Sequence, residues 1–77
     1  MAIGFVFITA ATSQENELYK QLSKLPEIIE LHPLFGEYDF IAKIEADDFD
    51  NLGAIVVYKI RTMEGVRFTT TFTVTKF

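Results

Sequence analysis

A chain of 77 residues, 49% of them hydrophobic, with no cysteine, one histidine and a net charge of −4, reads as one domain that lacks the usual supports of a small protein. At this size folding buries only about 60% of the surface that the unfolded chain exposes. Disulfides are excluded, a zinc site lacks ligands, and self-association is the reinforcement that remains. The seven Lys and Arg are scattered along the chain, which argues against direct nucleic-acid binding. No run reaches the roughly 20 apolar residues that span a bilayer, and the apolar start lacks the basic region and cleavage site of a signal peptide. The chain reads as a soluble cytoplasmic protein with no membrane partner, in keeping with its lack of cysteine.

Residues 2–9 are apolar at both parities, the pattern of a central strand buried on both faces. Thr12 and Glu15 stand at capping-box spacing, and Leu18, Leu22 and Leu25 mark one face of a helix that stops before Pro26. A second strand is expected over 28–35, placed at a sheet edge or on a bulge because Pro33 cannot donate to a ladder. A third, 38–46, sets Phe40, Ala42 and Ile44 against Ile41, Lys43 and Glu45. The acidic cluster Asp47, Asp48 and Asp50 fails as a calcium loop, since Leu52 and Lys59 occupy ligand positions. It fits a helix N-cap and the charges of a first turn. That helix is predicted over 49–63, with Phe49, Leu52, Val56, Ile60 and Met63 at core spacing and Gly65 closing it. Ile55, Val57 and Tyr58 fall partly off the stripe, suggesting a helix buried by more than its own sheet. Gly53, costing about 1 kcal/mol relative to Ala within a helix, marks a close approach. The last strand, 66–77, alternates Val66, Phe68, Thr70, Phe72 and Val74 with Arg67, Thr69, Thr71, Thr73 and Thr75. Its threonine row has two readings, simple β-propensity or a line of hydroxyls in a polar interface.

Between strands two and three lies the stretch around which the chain is organised, Leu34-Phe35-Gly36-Glu37-Tyr38-Asp39. Gly36 can take a positive φ or admit another molecule close to bare backbone. A carboxylate, a phenol and exposed N–H groups around it are the parts needed to hold a small zwitterion. A plain turn with an Asx cap is the alternative.

Strand, helix, strand, strand, helix, strand in one domain, 1–77, reads as an α+β ferredoxin-like βαββαβ sandwich, with a four-stranded antiparallel sheet and both helices on one face. The open face, lined partly by the doubly apolar first strand, calls for a second subunit stacked sheet to sheet, a dimeric α/β-barrel type of assembly. Leu25-Pro26-Glu27-Ile28-Ile29-Glu30, Gly36-Glu37-Tyr38-Asp39-Phe40-Ile41-Ala42-Lys43-Ile44, Ile60-Arg61-Thr62-Met63-Glu64-Gly65-Val66 and Thr69-Thr70-Thr71 resemble the C-terminal effector (RAM) domain of Lrp/AsnC transcription regulators, in a stand-alone form lacking the helix-turn-helix. The resemblance covers nearly the whole chain. It implies dimers joined through their sheets, closing into octamers or decamers, with a free amino acid as effector between neighbouring dimers and a full-length Lrp/AsnC regulator as a further partner. By position, the ligand-binding residues it implies are Gly36, Tyr38, Asp39, Thr69 and Thr71, with no cofactor and no metal. Asp39 suits an ammonium. Thr69 and Thr71, two apart, present both hydroxyls to one side about 7 Å apart. The bulky Leu34-Phe35 departs from the commoner family pattern and would narrow the cleft or favour an apolar side chain.

Two other functions compete. Dimeric α+β barrels also host small monooxygenases and isomerases, but His32 is the only histidine, and spacing places no second titratable group to orient it. A surface or packing role for His32 is the plainer reading. The third function is a purely structural assembly partner.

Overall fold

The computed structural model describes residues 1–75. Four strands, β1 (Ala2–Ala10), β2 (Ile28–Pro33), β3 (Phe40–Ala46) and β4 (Val66–Thr73), form one antiparallel sheet in the order β2-β3-β1-β4. Two helices complete it: α1 (Glu15–Ser23), and α2 (Phe49–Ile55), which runs on into a π-helical turn (Val56–Ile60). This is the expected βαββαβ order, with Pro33 on an edge strand.

The central strand β1 buries alternate residues, and its register decides what each face of the sheet contains. Ala2, Gly4, Val6 and Ile8 lie opposite Ala46, Ile44, Ala42 and Phe40 of β3. With Leu18 and Leu22 of α1 and Leu52, Ile55, Val56 and Ile60 from α2 and its π-helical turn, they make the core. The other row, Ile3, Phe5, Phe7 and Thr9, is only half-buried, because no described helix covers that face. The doubly apolar pattern therefore marks a strand with helices on one side and an open face on the other.

Strand β4 is the inverse of an ordinary amphipathic strand. Thr69, Thr71 and Thr73 pair with Ile8, Val6 and Gly4, on the helix side, whereas Thr70 and Phe72 pair with Phe7 and Phe5, on the open side. Phe72 is 58% exposed and Phe68 63%. Of the strand expected over 66–77, residues 66–73 are confirmed, and Lys76 and Phe77 lie outside the described residues.

Several local expectations are corrected. The capping box of Thr12 and Glu15 does not form. Ser13 takes a positive φ of 67°, which carries the chain past Thr12, so Gln14 becomes the N-cap without a side-chain hydrogen bond. The second helix ends at Ile60 rather than Met63; the Arg61 N–H bonds the Val56 carbonyl at 2.8 Å, five residues back, and the Thr62 hydroxyl donates to the Tyr58 carbonyl. Phe49, at the helix start, stays 55% exposed while Ile55 is buried, because a side chain in the first turn leans towards the N-terminus and off the layer beneath. The close approach assigned to Gly53 is absent, with no atom within 4 Å of a Cβ built there. It occurs instead at Gly4, where a Cβ would lie 3.1 Å from the Leu52 side chain. The aspartate reading holds: Asp48 caps α2 by accepting the Asn51 N–H at 2.8 Å.

Candidate functional site

The loop from β2 to β3 is pinned at its base and open at its tip. Leu34 N–H bonds the Asp39 carbonyl at 2.8 Å, and Asp39 N–H bonds Ile8 at 2.9 Å, extending the β1–β3 ladder. β3 begins at Phe40, so Ala10, paired with Val66 of β4, has no partner residue in β3. The Asp39 carboxylate fills the gap, its Oδ2 accepting the Ala10 N–H at 2.7 Å. Such charge-assisted bonds are stronger than neutral ones. Asp39 therefore caps a neighbouring strand and not its own turn, which is where the Asx reading placed it.

At the tip Gly36 has φ +145°, open to glycine far more than to any other residue, and no atom lies within 4 Å of a Cβ placed there. Phe35 beside it is fully exposed and Leu34 partly so. A cleft of about 420 Å³ runs along this loop, lined by Glu15, Pro33, Leu34, Phe35, Gly36, Asp39 and Phe40. Glu15 is the residue that sequence reasoning missed. Released from the capping box by the left-handed Ser13, it gives the cleft a second carboxylate.

The five residues implied by the resemblance do not gather in one place within a chain. Gly36 and Asp39 share the cleft. Tyr38 turns to the open sheet face, its ring 5.1 Å from that of Phe7. Thr69 lines a separate cleft of about 210 Å³ with Arg61, Val66, Arg67 and Phe68. Ile8 stands between Phe40 and Thr69 in register, so the turn and the threonines are two strands apart, about 10 Å. Thr71 continues the row and is exposed.

The open sheet face carries an aromatic cluster that no described helix covers. Phe7 sits at its centre, with Phe72 edge-on at 5.9 Å and Tyr38 on the other side. Charged side chains border it: Lys43 lies 5.9 Å from the Phe5 ring centroid and 3.5 Å from Glu30, and Arg67 stacks over Phe68. An aromatic centre with a charged margin is how protein interfaces are built. His32, exposed on β2, reaches Glu30 at 3.2 Å. The His32 and Lys43 contacts hold the Glu30 carboxyl below its ordinary range.

A further cleft of about 520 Å³ at the far end of α2 contains Glu27, Glu45, Asp47, Asn51, Tyr58 and Lys59. There the Lys59 ammonium bonds Glu27 and lowers its carboxyl pKa, while Glu27 Oε1 is buried without a partner. Among the described residues no group of three or more His, Cys, Asp or Glu is placed to hold a metal, and no helix is long and apolar enough to cross a membrane.

The Lrp/AsnC ligand binding domain model matches residues 3–77. An uncharacterized HTH-type transcriptional regulator of Pyrococcus furiosus is 35% identical over 57 residues, spanning 74% of this chain and 38% of that protein, so the match covers well under half of that curated relative. Among solved structures, the hypothetical protein PHS023 from Pyrococcus horikoshii superposes with a TM-score of 0.89 at 32% identity, covering 99% of this chain and 92% of that one. The fold is shared with the transcriptional regulator NMB0573 of Neisseria meningitidis, solved as its L-Met complex (TM-score 0.87, 19% identity, 97% of this chain and 50% of that one). A domain model that accounts for all but the first two residues, and a βαββαβ sheet of matching topology, make this chain a member of the Lrp/AsnC ligand-binding domain family.

Proposed function

We propose that this domain is an amino-acid effector module: two copies join through their open sheet faces, the dimers close into octameric or decameric rings, and a free amino acid binds where neighbouring dimers meet. The observation that carries the ligand reading is the Gly36 turn, whose backbone is open beside two carboxylates, Asp39 and Glu15. The ammonium of an α-amino acid pairs with Asp39, whose Oδ1 is left over once Oδ2 has taken Ala10. The ligand carboxylate meets N–H groups at Gly36 and the hydroxyls of Thr69 and Thr71. Because those hydroxyls lie two strands from the turn, they are contributed by a neighbouring chain. The dimer reading rests on β4, which turns its phenylalanines away from the helices. The L-Met bound in the Neisseria protein fits a ligand of this class.

In this reading the domain performs no chemistry, binds no DNA itself and acts through a full-length regulator in the cytoplasm. The test is a panel of free amino acids added to the purified protein while its Tm is followed, since a ligand that binds only the folded state must raise it. With the ligand so found, calorimetry on Asp39→Asn, which keeps an acceptor for Ala10 but loses the charge, is expected to show affinity about tenfold to a hundredfold weaker. Unchanged affinity, or a ligand whose α-amino group is dispensable, would reduce Asp39 to a strand cap.

A further inference from the structure

The chain has two arginines, and both line the same cleft of about 210 Å³. Arg61 arrives there because the π-helical turn ends at Ile60, and its N–H bonds back to the Val56 carbonyl. Arg67, the second residue of β4, lies with its guanidinium over the Phe68 ring, 5.5 Å from the centroid. Thr69 adds a hydroxyl. In a protein of net charge −4 this is a local excess of positive charge, and no described carboxylate neutralises it. The three ion pairs among the described residues involve His32, Lys43 and Lys59, and neither arginine side chain makes a hydrogen bond there. Two like charges on one small cleft repel each other, and an anion held between them relieves that repulsion.

We propose that this cleft takes the side-chain carboxylate of the effector, which makes the ligand class the acidic amino acids, aspartate and glutamate. The assignment rests on the effector reading above, in which Thr69 meets the ligand from a neighbouring chain. In that reading the ligand ammonium has Asp39, and its α-carboxylate has the Gly36 N–H groups and the threonine hydroxyls. The arginines beside Thr69 are then left for a second carboxylate. A guanidinium suits that group because it binds both oxygens through parallel N–H bonds. Glu15 and Asp39, both at the turn, repel a second negative charge from their own end and so orient the ligand with its side chain towards the arginines.

The same arrangement rejects other ligands. A basic side chain meets two like charges. An apolar one, which Leu34 and Phe35 would suit, covers both guanidiniums and leaves them without an acceptor. An amide offers one neutral oxygen in place of two charged ones. Discrimination comes as much from what a wrong ligand leaves unpaired as from what the right one gains.

The probes are L-glutamate and L-aspartate, set against the other free amino acids and inorganic phosphate at one fixed ionic strength, with the purified full chain. Tm is followed and Kd measured by calorimetry. One of the two acids is expected to bind about tenfold to a hundredfold more tightly than its amide, the margin of a charge-assisted contact over a neutral one. Both arginines are exposed, so Arg61→Gln and Arg67→Gln should keep the wild-type circular dichroism. Each is expected to narrow the acid-to-amide margin by about tenfold, and Arg61→Lys, which keeps the charge but loses the planar fork, to narrow it less. Any other amino acid bound as tightly as the better acid overturns the proposal and leaves the effector reading standing. Phosphate bound as tightly makes the cleft a general anion site and overturns it as well, as does an undiminished margin in both Gln variants. If no amino acid binds, the proposal and the effector reading fall together.

Discussion

Two glycines take left-handed backbone in this fold, and their surroundings could hardly differ more. Gly65, φ +98°, sits under Gln14, whose Cβ would be 3.2 Å from a Cβ added at position 65. Its carbonyl accepts the Ala11 N–H at 2.7 Å. It joins the turn before β4 to the start of α1, so both its conformation and the lack of a side chain are used inside the chain. At Gly36, φ +145°, an added Cβ would meet no atom within 4 Å beyond its chain neighbours, and the phenylalanine beside it is fully exposed. The backbone demand is the same at both; only at Gly36 is the freed space left to something outside the chain. A glycine forced by its own fold is structural, and one whose missing side chain serves nothing nearby points to a partner or ligand.

The largest effect expected from breaking this comparison is at Gly65. Ala there adds backbone strain of about 1–3 kcal/mol to the Gln14 contact, so a loss of about 2–4 kcal/mol is expected by chemical denaturation. In a Gln14→Gly background the excess over pure strain should vanish, which a double-mutant cycle measures.

Next comes Asp39, at the pinned base of the open loop. Asp39→Ala strands the Ala10 N–H and should cost about 1–3 kcal/mol, while Asp39→Asn should cost less than half as much. Equal losses in the two variants would mean that charge, not the strand cap, accounts for the residue's part in stability.

Gly36→Ala should cost about 1–3 kcal/mol, strain alone, with no dependence on the residue at position 14. The comparison sharpens if this variant folds but no longer gains Tm from the amino acid that stabilises wild type.

The smallest effect concerns pH, at corners remote from both turns. The Lys59 bond lowers the Glu27 carboxyl from its ordinary 4.5, and His32 with Lys43 lowers that of Glu30. A depressed folded-state value means that both carboxyls contribute stability above pH 4.5 and lose it as pH falls through the lowered values. Glu30 and the Lys59 partner of Glu27 are about half exposed and screened by solvent, so the change should be slight. Removing the cation with Lys59→Met should flatten the acid limb of the Tm-versus-pH curve below pH 4.5. An unaltered limb would assign it elsewhere.

Much of the fold was readable because its signals are local. Period-two patterning located β3, Pro33 restricted β2 to an edge or a bulge, and the spacing from Asp48 to Asn51 is a cap that depends on four residues only. Where readings failed, a distant element had overridden a local preference. Thr12 and Glu15 have the spacing of a capping box, yet Gly65 draws Gln14 over itself and the helix starts later. Gly53 looks like a contact, but the helix meets the sheet at Gly4. Phe49 has core spacing and no layer beneath it.

The candidate site divides the same way. The turn, its glycine and its aspartate are visible as residue types in a short run, because a positive φ and a carboxylate are demands that a few residues meet by themselves. That Asp39 also closes the end of β1 was invisible, since Ala10 is 29 residues away and only the stagger of the two strands brings them together. Nor does the alternation in β4 say which row meets the helices; period two defines two faces without naming them, and the β1–β4 register turned the phenylalanines to the open side. The sequence alone thus determined the order of elements, the restriction of β2 to an edge or a bulge and the residue types at the Gly36 turn, all set by backbone geometry and patterning over short spans. Register, strand stagger and the reach of the two helices, which depend on packing between residues far apart in the chain, decided that one sheet face is left apolar and open, that Glu15 joins Asp39, and that the threonines lie two strands from the turn.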